Sequence, residues 1–106
     1  MSEKIIPTSE ERIEILNLCR ELHSNSKGII STGDYKFIKQ SLSTAIDEGK
    51  IQRDSFGFHP VILDIQTALL ISGEIGFHRE IIISILLSRC VELGIISIDE
   101  VNRQCG

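Results

Sequence analysis

A serine and an arginine, Ser88 and Arg89, interrupt the most apolar part of the chain. They follow the run EIIISILL and stand in the stretch ILLSRCVELG, which spans residues 85–94. A buried helix seldom ends in an arginine on its inner side, because an unpaired charge is costly there. Glu92 lies three residues after Arg89, so the two could form an ion pair on one helix face. The alternative is that Ser88 and Arg89 stand where catalytic residues once stood.

Of the three histidines, His59 has the context most typical of a site. His23 lies near the predicted end of one helix and His78 near the predicted start of another, where a surface or capping role is expected. His59 follows the segment FGF and directly precedes Pro60 at a predicted helix start. Taken alone, the His-Pro pair favours a polar cap over a ligand.

The remaining polar residues predict no catalytic site. Asp47 and Glu48 precede a helix stop, while Asp99 and Glu100 suit the first turn of a helix. The chain has no HExxH, P-loop, GxGxxG or nucleophile-elbow pattern. The three cysteines are too widely spaced for a zinc knuckle or a CxxC redox motif, and we interpret them as reduced thiols of a cytoplasmic protein: Cys19, Cys90 and Cys105.

Composition predicts one acidic domain that is neither a nucleic-acid-binding nor a membrane protein. The 106 residues (1–106) carry a net charge of −4, the opposite of the basic footprint that nucleic acid requires. The longest apolar run, residues 81–87, is far shorter than the roughly 20 residues of a membrane span. The N-terminal MSEK contains no apolar core of a signal peptide.

Apolar periodicity predicts an all-α bundle of about five helices. The first opens at Thr8 or Ser9, and Thr8 and Glu11 have the spacing of a capping box. The second runs through GDYKFIKQSLSTAIDEG and ends at a glycine C-cap, Gly49. The segment KIQRDSFGF has no period and is predicted to be a loop.

The last three helices follow this loop. The third begins at Pro60, whose missing N–H suits a first turn. The fourth contains an isoleucine run of high β-propensity, but its length, its first-turn Glu80 and its final glycine favour a buried helix. Ser97 and Glu100 repeat the capping-box spacing, so a fifth helix is predicted from about Ile98.

An ordered series of short motifs carries a resemblance to a known family. The series is RDS at 53–55, HP at 59–60, LLSRCVEL at 86–93, SIDEV at 97–101 and CG at 105–106. It resembles the N-terminal hydrolase domain of the RelA/SpoT family, the enzymes that make and degrade the alarmone (p)ppGpp in the stringent response. The family's counterparts are an Arg-x-Ser loop, a His-Pro helix start, a helix ending Leu-Leu-His-Asp-x-x-Glu-Asp, and a Thr-x-Asp-Glu-Ile segment ending Phe-Gly. The resemblance covers roughly residues 45–106 and implies a partial HD-domain-like bundle.

The resemblance implies that this chain has lost the family's metal site. In the family one divalent ion, usually manganese, is held by the His of the His-Pro start, the His-Asp pair and a distant Asp, and it activates a water for attack on the 3′-diphosphate. His59 matches the first ligand, whereas Ser88 and Arg89 stand at the His-Asp pair. Glu92 matches a helper carboxylate and Leu93 replaces a second one. The distant Asp would lie beyond the end of this chain.

We therefore expect neither metal nor catalysis at these vestigial positions. Serine is a poor ligand for manganese, and Arg89 cannot lose its proton. A unit cation about 4 Å from a divalent ion costs roughly 8 kcal/mol at an effective dielectric constant of 20. Arg53 matches the arginine that packs on guanine in the family, with Lys50 as an alternative because the loop is shorter here.

By analogy with degenerate hydrolase domains in some synthetase-dominant members, the resemblance implies a regulatory or scaffolding role for an attached synthetase domain. Guanine nucleotide is a further candidate ligand. Because the family's domain continues past this point, we expect residues 1–106 to be an N-terminal fragment whose uncovered apolar faces favour a homo-oligomer. Two alternatives stay open: weak metal-dependent (p)ppGpp hydrolysis with rearranged ligands such as His59, His78 and Glu92, and a free-standing helical interaction module.

Overall fold

The apolar periodicity and the cap residues of the sequence set the helices of the fold. A computed structural model describes residues 5–105, so the N-terminal MSEK and the closing Gly106 lie outside the described residues. The helices are α1 (Ser9–Asn25), α2 (Thr32–Glu48), α3 (Pro60–Ile75), α4 (Arg79–Glu92) and α5 (Ile98–Cys105). Residues 5–105 contain no strand, so the predicted all-α class with five helices is confirmed.

Side-chain caps fix where the helices begin. Thr8 and Glu11 form the predicted capping box, in which each side chain accepts the backbone N–H of the other residue. Ser31 and Asp34 form a second box at the start of α2 that was not predicted. At the start of α5 only one half of the predicted box is present, since Ser97 accepts the N–H of Glu100 at 3.1 Å.

Glycine ends the second helix as expected. Gly49 is the C-cap of α2 and has a φ of 67°, in the left-handed region that favours a residue without Cβ. Gly94 follows the end of α4 with a φ of 74°. At both glycines the chain leaves one helix and changes direction.

The core lies where α4 packs against α2 and α3, and α1 also packs against α3. Its side chains are aliphatic and come from all three central helices: Ile38, Leu42 and Ala45; Val61, Ile65 and Ala68; Ile82, Leu86 and Cys90. Contrary to the expectation of all-round burial, α4 is buried on the faces toward its neighbours and exposes Ser84 and Ser88. None of the helices within residues 5–105 has both the length and the apolarity needed to cross a lipid bilayer.

Candidate functional site

His59 is held as a buried N-cap at the start of α3. Its side chain is 0 % exposed, and its Nδ1 accepts the backbone N–H of Val61 at 3.4 Å. An accepting Nδ1 puts the proton of the neutral ring on Nε2. Nε2 is buried without a hydrogen-bond partner among the described residues. The predicted capping role of His59 is therefore confirmed.

Burial also sets the charge of this ring. It lowers the pKa of His59 below its ordinary value, against the opposing influence of the nearby Glu11 carboxylate. Arg53, Arg89 and Asp64 are near enough to contribute to the same balance. The His59 ring, whose pKa responds to the Glu11–Arg53 and Asp64–Arg89 ion pairs, is the centre of the candidate site.

Arg89 forms an ion pair with Asp64 of α3. Its Nε and Nη2 donate to the two carboxylate oxygens at 2.9 and 3.2 Å. The Arg89 side chain is 34 % exposed and that of Asp64 17 %, so water screens the pair only in part. Glu92, the possible partner on the same helix, is not the one that Arg89 bonds, because the planar guanidinium pairs in a bidentate way with a carboxylate on the neighbouring helix. The pair joins α4 to α3 beside His59.

Glu11 joins three segments through one carboxylate. Arg53 donates to its two oxygens from Nη1 and Nη2 at 2.9 and 2.7 Å, and the backbone N–H of His59 donates at 3.2 Å. Glu11 also accepts the backbone N–H of Thr8. Its carboxylate therefore connects the start of α1 to the loop and to the start of α3. The hydrogen bonds from Arg53 are the main reason that the pKa of Glu11 falls to about 2.

Both terminal nitrogens of Arg53 donate hydrogen bonds to this chain's own atoms. Besides Glu11, it donates to the backbone carbonyls of Gly57 at 2.8 Å and Ile6 at 3.3 Å. Its side chain remains 30 % exposed. Lys50, the alternative guanine-stacking residue, is largely exposed and lies 3.5 Å from the Glu48 carboxylate. Arg53 thus has a clear structural role whether or not a base stacks on it.

Ser88 and Glu92 do not line the cleft that contains His59. Both are exposed and line a groove of about 360 Å³ between α4 and α5, together with Ile98 and Val101. His59 instead lines a cleft between α1, the loop and α3. The described fold therefore brings Arg53, His59 and Arg89 to one polar cluster and leaves Ser88 and Glu92 in a different depression.

The described residues do not fit a divalent metal. No group of three or more His, Cys, Asp or Glu side chains within residues 5–105 converges as ligands would. At the centre of the candidate site, Arg89 contributes a fixed positive charge and the proton of His59 occupies Nε2. A cation would have to displace the guanidinium from Asp64 before that carboxylate became available as a ligand.

Sequence reasoning missed two of the residues that organise the cluster. Asp64 is the only charged residue between Pro60 and Gly73, and this isolated charge on an apolar helix was the available signal. Glu11 was assigned only to a cap, although its side chain also binds a residue 42 positions later.

No protein-family model, curated protein or solved structure matches this chain.

Proposed function

We propose that residues 5–105 form a non-catalytic, regulatory region of a cytoplasmic RelA/SpoT-type protein, attached to a (p)ppGpp synthetase domain. The proposal rests first on the ordered motifs from Arg53 to Cys105, which resemble the family's hydrolase domain. Its strongest structural support is the bidentate pair of Arg89 with Asp64. If the resemblance holds, this anchored guanidinium corresponds to the family's metal-binding carboxylate, which supports a site without metal.

The polar cluster supports a structural interpretation of the remaining positions. His59 caps a helix and is buried, and Arg53 holds the loop against α1. These are contacts that stabilise a fold: the Nδ1 of His59 accepts the N–H of Val61, and both terminal nitrogens of Arg53 are hydrogen-bonded within the chain. Such contacts support a region that keeps a folded shape without catalytic chemistry, which is what a scaffolding role requires.

Weak metal-dependent hydrolysis is less well supported. His78 precedes α4 and Glu92 ends it, which separates them by about 20 Å at a rise of 1.5 Å per residue. His78 also contacts the carbonyl of Ile75 through Nε2 at 3.0 Å. These two residues cannot share one ion with His59, so a hydrolase would need a ligand set that residues 5–105 do not present.

The link to a synthetase is tested on the native polypeptide from source cells. An antibody against this 11.9 kDa chain should detect a much larger protein, and that protein should transfer pyrophosphate from ATP to GDP or GTP. Destabilising the region through Arg89→Asp should change the rate of that synthesis at least severalfold, while Arg20→Asp on the exposed face of α1 should not. A band near 11.9 kDa, or a large protein without this activity, would contradict the proposal and favour the interaction module.

A further inference from the structure

An open cleft of about 570 Å³ lies between the start of α1, the loop 53–58 and the first turns of α3. Two of its lining side chains are large, apolar and exposed: Phe58 is 63 % and Leu63 55 % accessible. Phe56, two residues before Phe58, is 84 % accessible. Exposed apolar side chains grouped at a concave surface are typical of a protein-binding site. We call this surface the acidic–aromatic cleft.

The two phenylalanines are presented by an ordered turn. One carboxylate oxygen of Asp54 accepts the backbone N–H groups of Phe56 and Phe58, each at 2.9 Å. Gly57 between them has a φ of +86°, and its carbonyl accepts a bond from Arg53. The turn is therefore fixed at both ends, so a partner would pay little entropy to order it on binding.

The rim of the cleft is negatively charged. Glu10, Glu11, Glu14 and Asp54 line it, and Arg53 is the only lysine or arginine among its lining residues. Arg53 is neutralised by Glu11, which leaves the other three carboxylates uncompensated. This potential disfavours phosphate-bearing ligands and favours cationic ones.

The carboxylates and the apolar side chains lie on facing elements. Glu10 and Glu14 are four residues apart on α1 and therefore share one helix face. Phe58 and Leu63 come from the loop and from α3 on the other side. The surface thus has an acidic wall and an apolar wall, and a helix with one basic and one apolar face would match both.

We propose that the acidic–aromatic cleft docks a cationic amphipathic segment of a protein partner. Apolar side chains of that segment pack on Phe58 and Leu63, and its lysines or arginines lie opposite Glu10 and Glu14. A second copy of this chain is a poor occupant, because it carries the same net charge of −4 and would be repelled. The inference does not depend on the proposed link to a synthetase.

The test titrates the ¹⁵N-labelled 106-residue chain with a designed helical peptide of leucine and lysine, about five turns long at 3.6 residues per turn. Saturable amide shifts are expected at Phe56, Gly57, Phe58 and Leu63. Peptides with glutamate or glutamine in place of lysine should bind at least about tenfold more weakly, a difference of about 1.4 kcal/mol. Added salt should weaken the lysine peptide most.

Matched variants test whether the peptide binds this cleft or is only attracted by the overall negative charge of the chain. Glu10→Lys/Glu14→Lys and Phe58→Ser/Leu63→Ser should each raise the Kd at least about tenfold. The control Leu70→Ser/Glu74→Lys changes an equally exposed leucine and glutamate of α3 outside the cleft and should leave the Kd unchanged. Equal losses in cleft and control variants, shifts confined to the α4–α5 groove, or no saturation would overturn the proposal. Concentration-dependent shifts of the cleft amides without peptide would also overturn it, in favour of a second copy.

Discussion

Replacing Arg89 with aspartate is expected to lower the free energy of unfolding by about 3 kcal/mol. The change removes two charge-assisted hydrogen bonds, worth about 2 kcal/mol together in a partly exposed pair, and sets two carboxylates against each other. Asp64 cannot move away easily, because its helix packs against both α1 and α4. Urea unfolding followed by circular dichroism measures the loss.

The charge-swapped double variant Arg89→Asp/Asp64→Arg is the control for this prediction. It restores an ion pair of the opposite polarity between α3 and α4, so most of the lost stability should return. Arg89→Ala should fall between the wild type and Arg89→Asp, because it removes the pair without adding repulsion. A wild-type stability for Arg89→Asp would show that the pair with Asp64 does not hold these helices together.

Replacing Glu11 with alanine is expected to cost about 2–3 kcal/mol. The loss combines half of a capping box, worth about 1 kcal/mol, with the charge-assisted bonds to Arg53. It also leaves the backbone N–H of His59 without its acceptor. The matched control is Glu14→Ala, one turn later on the exposed face of α1, which should change stability by no more than about 0.5 kcal/mol.

The contribution of Glu11 should depend on pH in a defined window. Because folding lowers the pKa of Glu11 from 4.5 to about 2, the native state binds fewer protons than the unfolded state at pH values between these two. The stability that Glu11 contributes is therefore complete above pH 4.5 and is lost as the pH falls toward 2. The difference in unfolding free energy between the wild type and Glu11→Gln should shrink across this range. A difference that stays constant down to pH 2 would contradict the assigned pair with Arg53.

The sequence predicted local structure well because helix formation and capping depend mainly on residues that are close in sequence. Thr8 with Glu11, Pro60 and Gly49 fixed helix ends through contacts within four residues, and all three predictions are confirmed. The isoleucine run of α4 has high β-propensity, but it adopts a helix since packing between α2 and α3 decides its structure.

The candidate site was less predictable because its contacts are long-range. The spacing of Arg89 and Glu92 made an ion pair within one helix possible, but Arg89 binds Asp64, 25 positions earlier. Arg53 was considered only as a nucleotide contact, yet it holds the loop to Glu11 and Ile6. Periodicity states which face a residue occupies on its own helix, and it contains no information on which carboxylate of another helix will face it.

Manganese-dependent release of pyrophosphate from (p)ppGpp by the native full-length polypeptide is the measurement that tests the proposed non-catalytic role most directly. With Arg89 bound to Asp64 and Arg53 bound to Glu11, we predict no release above the metal-free rate and no saturable manganese binding by calorimetry. Manganese-dependent release that disappears in His59→Ala, with the circular dichroism spectrum unchanged, would contradict a non-catalytic domain.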